Sequence, residues 1–125
     1  MELSPALREF LTERHLATLV TLRADGSPHS VPVGFTYADG VARVITSGGS
    51  KKAANVARDG RAAVTQVEGA RWVSLDGPAR VVHDPAVVAA AVDAYSRRYR
   101  QPRERDDRVV IEIEVQRMMC NSGLR

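Results

Sequence analysis

The sequence has few of the residues that build covalent or metal-clustered scaffolds. Cys120 is the one cysteine among 125 residues, which excludes a disulfide framework and any zinc or iron–sulfur site with several cysteines. Aromatic residues make up 5% of the chain, so the core must consist mainly of Val, Ala, Leu and Ile. No apolar run approaches the roughly 20 residues of a membrane-spanning helix, and no charged-then-apolar signal pattern opens the chain. These absences favour a single cytoplasmic domain spanning residues 1–125, with no membrane partner.

Lysine is almost as scarce as cysteine. Of the 18 basic residues 16 are Arg and two are Lys, and the two lysines, Lys51 and Lys52, are adjacent. The net charge of +3 favours anionic partners without identifying one. A pair of compact ammonium groups stands out in such an arginine-rich chain. Composition leaves two interpretations open, a chance pair on a solvated turn and an anchor for an anion.

Turn signals and hydrophobic periodicity predict six strands and three short helices, the helices capped by Ser4, Ser50 and Asp84. Asp-Gly pairs at 25–26 and 39–40 favour tight hairpins, so the first three strands are expected to form an antiparallel meander. Hairpin connections predict a mostly β fold, a six-stranded antiparallel barrel, closed or nearly closed, with short peripheral helices. The last strand alternates apolar and polar residues, which predicts one solvated face. The expected strands are residues 16–22, 28–37, 41–46, 62–67, 71–82 and 109–115.

The segment from Thr46 to Asn55, which reads Thr-Ser-Gly-Gly-Ser-Lys-Lys-Ala-Ala-Asn, is the strongest local indication of a ligand site. A strand ends there, two glycines permit a close approach of the backbone to a ligand, and a helix begins. Free N–H groups, the helix dipole, hydroxyls and two ammonium groups converge, which suits phosphate or another anion. The spacing is not that of a Walker A motif, and a plain capped turn stays open as the alternative.

Other constellations that carry chemistry are absent from the sequence. The three histidines lack metal-ligand spacing, and neither a nucleophile elbow nor a Ser-His-Asp arrangement is present. The basic run 97–108 is diluted by acidic residues and has Tyr99 as its one aromatic residue, so no nucleic-acid partner is expected. An anion site without acid–base machinery is typical of an enzyme in which a bound cofactor carries the chemistry.

Six short segments match one known family in their order and spacing. They are residues 15–19 (HLATL), 22–29 (LRADGSPH), 31–35 (VPVGF), 43–55 (RVITSGGSKKAAN), 69–77 (GARWVSLDG) and 97–100 (RRYR). Over about residues 7–119 the chain thus resembles the split β-barrel flavin and deazaflavin proteins related to pyridoxamine 5′-phosphate oxidase. Within that family it is most similar to the actinobacterial branch that uses coenzyme F420, especially the F420-dependent biliverdin reductases.

The resemblance implies a homodimer with two cofactor sites at the subunit interface. The cofactor phosphate and tail are expected at the glycine turn and helix start, and the deazaflavin ring along strand residues 29–32. Lys52 and Asn55 match the Lys-x-x-Asn spacing of the family. Arg71 and Arg100 are expected to hold substrate carboxylates. The expected cofactor-binding residues are His29, Ser30, Val31, Pro32, Thr46, Ser47, Gly48, Ser50, Lys51, Lys52, Asn55, Gln66 and Trp72.

The implied activity is hydride transfer from reduced F420 to an electrophilic carbon of a small conjugated molecule, above all biliverdin. The protein would hold the two reactants together and exclude water. Two alternatives stay open. One is an FMN-binding oxidase of the pyridoxamine 5′-phosphate oxidase type, which would show a flavin spectrum. The other is a non-catalytic carrier or sensor of F420, FMN or haem, which would bind its cofactor without turnover.

Overall fold

The chain folds around one antiparallel sheet, described for residues 2–125 in a computed structural model. The helices are α1 (Pro5–Thr12), α2 (Lys51–Asp59) and α3 (Pro85–Arg98), and a 3₁₀ turn covers Ser122–Leu124. Over residues 2–125, no helix is long and apolar enough to cross a membrane. The strands are β1 (Ala17–Leu22), β2 (Pro28–Val33), β3 (Thr36–Ala38), β4 (Val41–Ser47), β5 (Arg61–Glu68), β6 (Arg71–Val82), β7 (Arg108–Glu114) and β8 (Arg117–Cys120).

Local sequence signals start and stop the helices as predicted. The hydroxyl of Ser4 accepts the Leu7 N–H at the start of α1, and the hydroxyl of Ser50 accepts the Ala53 N–H at the start of α2. α2 ends at Gly60, whose φ of 76° lies in the left-handed region that glycine adopts without strain. These caps satisfy helix-end N–H groups and fix where the chain enters each helix.

The hydrogen-bonded strand order is β2-β1-β5-β6-β7-β4-β3, and β8 pairs with β6. The long strand β6 belongs to both halves, because residues 71–78 pair with β5 and residues 79–82 pair with β7. The two ends of the order, β2 and β3, are joined through Gly34 and Phe35 without a described ladder between them. The prediction of a mostly β, antiparallel split barrel with peripheral helices is confirmed.

Two details of that prediction are wrong. There are eight strands instead of six, because the expected strand 28–37 breaks at Gly34 and Phe35 and because β8 had no sequence signal of its own. The first three predicted strands also do not form a meander. β1 pairs with β2 and β5, whereas the β3–β4 hairpin joins the other half of the sheet through β7. The break at Gly34 and Phe35 allows the chain to cross between the two halves of the sheet. The single predicted strand 28–37 therefore supplies β2 to one half and β3 to the other.

The core lies between the two halves of the sheet, and residues 109–113 of β7 are buried on both faces. The polar face of β7 was expected to be solvated; Glu114 is exposed, but Glu112 is only 7% exposed. Burial alone would raise the pKa of Glu112, yet hydrogen bonds and charges from Arg80 and Arg43 outweigh it and hold that pKa below its usual value. The face is thus closed by ion pairs and by α3, which packs on β4 and β7. The largest fully buried side chains include Phe10, Phe35, Leu19, Leu75, Ile111 and Ile113.

The crossing between β2 and β3 is held by the last turn of α3. The Phe35 N–H donates to the Tyr99 hydroxyl at 3.1 Å, and the Phe35 carbonyl accepts from Arg98 Nη1 at 2.5 Å. A Cβ atom on Gly34 would lie 2.9 Å from the ring of Tyr95 and 3.0 Å from that of Tyr99. Glycine is therefore required where the backbone passes against the helix.

Gly77 marks the point where β6 changes partner, and substitution there tests the packing of the two halves. A Cβ at Gly77 would lie 1.9 Å from the Glu114 carbonyl oxygen. We expect Gly77→Ala to lower the free energy of unfolding by about 1–3 kcal/mol or more, because the β7 backbone must move away. The measurement is chemical denaturation. Gly49→Ala is the control, since nothing lies within 4 Å of its added Cβ; equal losses in the two variants would contradict the steric argument.

Candidate anion-binding site

The turn between β4 and α2 presents a hydroxyl cluster at a helix start. Ser50 caps α2, and the Thr46 hydroxyl donates to the Ser50 hydroxyl at 3.1 Å. Lys52 follows in the first helical turn, where the positive end of the helix dipole adds to its charge. The local sequence therefore places hydroxyls, an ammonium group and a helix start at one point, as the motif predicted.

A second segment, the loop before β7, packs against this turn. The Gly48 N–H donates to the Asp107 carbonyl at 2.6 Å, and a Cβ at Gly48 would lie 3.2 Å from that oxygen. Arg105 pairs with the Asp107 carboxylate at 3.0 Å, and Arg108 Nη2 donates to the Arg103 carbonyl at 2.7 Å. Gly48 thus uses its N–H to join the two segments, which brings the loop arginines beside the turn.

The two segments enclose a cavity of about 370 Å³, the anion cavity. Three cationic side chains line it, Lys52, Arg105 and Arg108; no carboxylate of residues 2–125 is among the lining residues, although Arg105 is paired with Asp107. Charge-assisted hydrogen bonds from such groups are the strong contacts of phosphate sites. The apolar residues among the cavity lining suit a planar apolar group next to the anion. The remaining lining residues are Pro32, Val33, Gly34, Ile45, Thr46, Ser47, Ser50, Tyr95 and Pro102.

The anion cavity brings together five of the thirteen expected cofactor residues. Lys51 is exposed and does not line it, whereas Lys52 is half-buried and does. Gly48 is next to the cavity but its N–H is already used by Asp107. The five residues that line the cavity are Pro32, Thr46, Ser47, Ser50 and Lys52.

The four expected ring-binding residues of β2 alternate between two faces of the strand. His29 and Val31 lie on the inner face, opposite Thr21 and Leu19 of β1, while Ser30 is exposed on the other side. The Nδ1 atom of His29 is buried and has no hydrogen-bond partner within residues 2–125. A buried polar atom of this kind calls for a partner outside the single chain, such as water or a ligand.

Asn55 faces the protein interior rather than the anion cavity. It is 7% exposed, and its side-chain Nδ2 donates to the Thr21 hydroxyl at 3.1 Å. Its Oδ1 accepts from Arg58 at 3.4 Å. The two residues of the Lys-x-x-Asn spacing therefore have different positions in this chain. Lys52 lines the cavity, whereas Asn55 hydrogen-bonds to β1 and holds α2 against it.

Gln66 has a structural position. Its side chain is fully buried, its Nε2 donates to the Phe10 carbonyl at 2.8 Å, and its Oε1 accepts from Arg98. Both ends of the amide are satisfied within the protein, and Gln66 does not line the anion cavity. A contact between Gln66 and the cofactor stays a prediction.

The two expected substrate residues also lie outside the anion cavity. Arg71 pairs with Glu13 at 3.1 Å and stacks over the Phe10 ring at 4.6 Å. Arg100 is exposed in the loop after α3. Arg105, in the loop before β7, and Arg108, the first residue of β7, do line the cavity and were not among the expected site residues. Their charge was visible in the basic run 97–108, but nothing local linked that run to the glycine turn.

Trp72 belongs to a different surface, an exposed apolar face on the β5 side of the sheet. It is 37% exposed and lies opposite Val67, which is 60% exposed. Met119 of β8 is 49% exposed, and Leu16, just before β1, is 67% exposed. We call these four residues the apolar face. Clustered exposed apolar side chains of this size indicate an interaction surface.

Comparisons with known proteins identify the family of the chain. Residues 3–119 match the family model of pyridoxamine 5′-phosphate oxidase. The chain is 53% identical over 117 residues to the F420H(2)-dependent biliverdin reductase of Mycobacterium tuberculosis (strain CDC 1551 / Oshkosh), covering 92% of this chain and 85% of that protein.

Solved structures share the fold. A conserved hypothetical protein from Mycobacterium tuberculosis superposes with a TM-score of 0.82 at 26% identity, covering 96% of this chain and 85% of that one. A structure described as an F420 reductase superposes with a TM-score of 0.75 at 21% identity, covering 90% of this chain and 94% of that one.

The two lysines provide a matched test of the anion cavity. We expect Lys52→Ala to weaken binding of inorganic pyrophosphate by about 1.5–3 kcal/mol, roughly 10- to 150-fold, because one charge-assisted contact is lost. Lys51→Ala removes the same charge from an exposed neighbour and should change the affinity about twofold at most. Isothermal titration calorimetry at low salt makes the comparison. Equal losses in both variants would mean that only the general charge of the turn attracts the anion.

Proposed function

Because the chain belongs to the pyridoxamine 5′-phosphate oxidase family, we propose that it is an F420H₂-dependent reductase whose acceptor is biliverdin. The observation that carries the proposal is its 53% identity, over 92% of its length, with the F420H(2)-dependent biliverdin reductase. The aligned region includes the glycine turn between β4 and α2 and the segment from Arg105 to Arg108, since it covers 92% of the chain. The enzyme is an oxidoreductase, and its cofactor is coenzyme F420.

The anion cavity fits the phosphate of such a cofactor. Lys52, Arg105 and Arg108 supply positive charge, and the hydroxyls of Ser47 and Ser50 supply neutral donors beside them. When bound, reduced F420 supplies the hydride. We assign the anchoring of its phosphate and acidic tail to Lys52 and the loop arginines, and the wall beside its ring to Pro32 and the other apolar lining residues. His29, whose Nδ1 has no partner within residues 2–125, lies on the other face of β2 from Pro32 and does not line the cavity.

The residues of this chain contribute position and shielding. Holding the two reactants in a fixed orientation removes much of the entropic barrier to transfer, and an apolar wall keeps water away from the reacting atoms. Within residues 2–125, no cluster of three or more His, Cys, Asp or Glu side chains is arranged to hold a metal ion. The chemistry assigned to the protein is therefore binding, orientation and exclusion of water.

We propose that two copies of the chain form the working unit through the apolar face. The four exposed side chains lie on neighbouring parts of β1, β5, β6 and β8, and burying them against a second copy removes apolar surface from water. The anion cavity, at about 370 Å³, is near the lower end of the range for ligand sites. A cofactor and a tetrapyrrole together need a larger binding surface than the cavity of one copy supplies. We therefore assign the remaining part of that surface to the second copy.

The activity is tested by following the absorbance of reduced F420 with biliverdin as the acceptor. We expect the F420H₂ signal to fall and bilirubin to form in equal amounts, since one hydride and one proton move per turnover. Lys52→Ala should slow the reaction at low F420H₂ mainly by raising KM, because the lost contact binds the cofactor in both ground and transition states. Lys51→Ala is the matched control.

The same experiment separates the alternatives. An enzyme that binds FMN and reacts with oxygen would show a flavin spectrum and would not consume F420H₂. A carrier would bind F420 tightly and leave F420H₂ unchanged with biliverdin present. Either result would contradict the proposed function.

The dimer is tested separately with a charge on the apolar face. We expect Trp72→Glu to convert the protein from dimer to monomer at micromolar concentration, because a carboxylate would be buried without a partner. Ala89→Glu, which places the same charge on an exposed position of α3, should leave the mass unchanged. Sedimentation equilibrium gives the masses, and a wild-type protein that is monomeric would overturn the proposal.

A further inference from the structure

A second cavity, about 640 Å³ in volume, lies between α3 and the strands β3, β4 and β7. We call it the α3 groove. It shares no lining residue with the anion cavity, and its volume lies within the range of small-molecule sites. We propose that the α3 groove binds a small apolar molecule that ends in a carboxylate. This site is separate from the proposed function, and its test does not depend on that function.

The walls of the groove are alkyl groups. Leu11 of α1 lines it together with Val87, Ala90 and Ala94 of α3. α3 packs on β4 and β7, and within it only Ala91 and Arg98 are buried; Val87 and Ala94 are half-buried and Ala90 is exposed. The short alanine side chains leave the groove between α3 and the strands unfilled. An apolar ligand body would bury surface that the protein leaves uncovered.

The charged side chains of the groove carry a net positive charge. Arg43, Arg97 and Arg98 line it against one carboxylate, Glu112, and Arg97 is paired with Asp93. Glu112 is already neutralised: its Oε2 accepts Arg43 Nε at 2.9 Å and its Oε1 accepts Arg80 Nη2 at 2.9 Å. A cationic ligand therefore meets no available carboxylate, whereas an anionic ligand meets an excess of positive charge.

Arg43 is the group that fits a carboxylate best. Arg98 uses its three nitrogens on the carbonyls of Glu13 and Phe35 and on Gln66. Arg43 uses only Nε, and neither of its Nη atoms has an acceptor within residues 2–125. A half-buried guanidinium with two such donors offers the planar fork that binds a carboxylate.

The probe is sodium decanoate, whose chain matches the apolar walls and whose carboxylate matches Arg43. We expect saturable shifts in the ¹H–¹⁵N NMR signals of Thr36, Ala38 and Ala90, with the signals of Lys52 and Ser50 unmoved. Decyltrimethylammonium has the same chain with the opposite charge, and we expect it to bind at least about tenfold more weakly, a difference of roughly 1.4 kcal/mol.

Matched variants locate the site. Ala90→Phe fills the groove and should weaken decanoate binding about tenfold or more, whereas Ala89→Phe, on an exposed position of α3 outside the lining, should leave it unchanged. Arg43→Gln keeps a hydrogen-bond donor for Glu112, and Arg80 stays paired with Glu112, so the protein should still fold. The affinity for decanoate should fall by a similar factor, because the guanidinium is lost. Thermal unfolding of each variant verifies that it is folded.

Three results would overturn the inference. The first is no saturable shift with decanoate. The second is equal affinity for decanoate and decyltrimethylammonium, which would indicate apolar partitioning alone. The third is equal weakening by Ala89→Phe and Ala90→Phe in folded variants, which would move the binding out of the groove.

Discussion

The fold depends on the clamp that α3 places on Phe35. The two ends of the strand order meet at Gly34 and Phe35, and both backbone polar groups of Phe35 are satisfied by α3, its N–H by Tyr99 and its carbonyl by Arg98. Burial lowers the pKa of Arg98 and raises that of Tyr99. Arg98 stays charged because an arginine pKa begins so far above neutrality. No carboxylate of residues 2–125 hydrogen-bonds to Arg98, so its charge is met by the carbonyl oxygens of Glu13 and Phe35, by the Phe35 ring at 4.9 Å and by the more distant charge of Glu13.

The clamp also sets the two cavities. Because α3 is fixed at its C-terminal end, Tyr95 faces the wall of the anion cavity, while Ala94 and Ala90, earlier in the helix, line the groove on the strands. The same last turn of α3 leads directly into the loop that carries Arg105 and Arg108. Hydrogen bonds in one buried turn therefore position the wall of the anion cavity and the start of its arginine loop.

Much of the fold and part of the site could be predicted from the sequence, because the signals involved act between residues that are close together along the chain. The strand 71–82 was predicted with the bounds of β6, and the Ser50 cap of α2 was predicted as observed, because turn and capping residues act within a few positions. Lys52, Ser50 and Thr46 were grouped correctly for the same reason. Asn55 and Gln66 were expected beside these residues but lie in the interior. An amide side chain can bind a ligand or a buried protein group, and only the tertiary structure shows that their partners are the buried groups of Thr21 and Phe10.

The sequence by itself determined the three helix starts, most of the strands, the antiparallel class and the chemistry of the glycine turn, since each follows from neighbours along the chain. Only the tertiary structure decided how these parts meet. It split the strand at Gly34, buried Glu112 between two arginines, and brought Asp107 to Gly48 so that Arg105 and Arg108 joined Lys52. The physical reason is that each of these contacts joins segments far apart in sequence, and no local preference encodes them. The scarcity of lysine drew attention to the turn between β4 and α2, where Lys52 lines the cavity. The other two cations of the cavity are Arg105 and Arg108, and only the packing of the chain places them there.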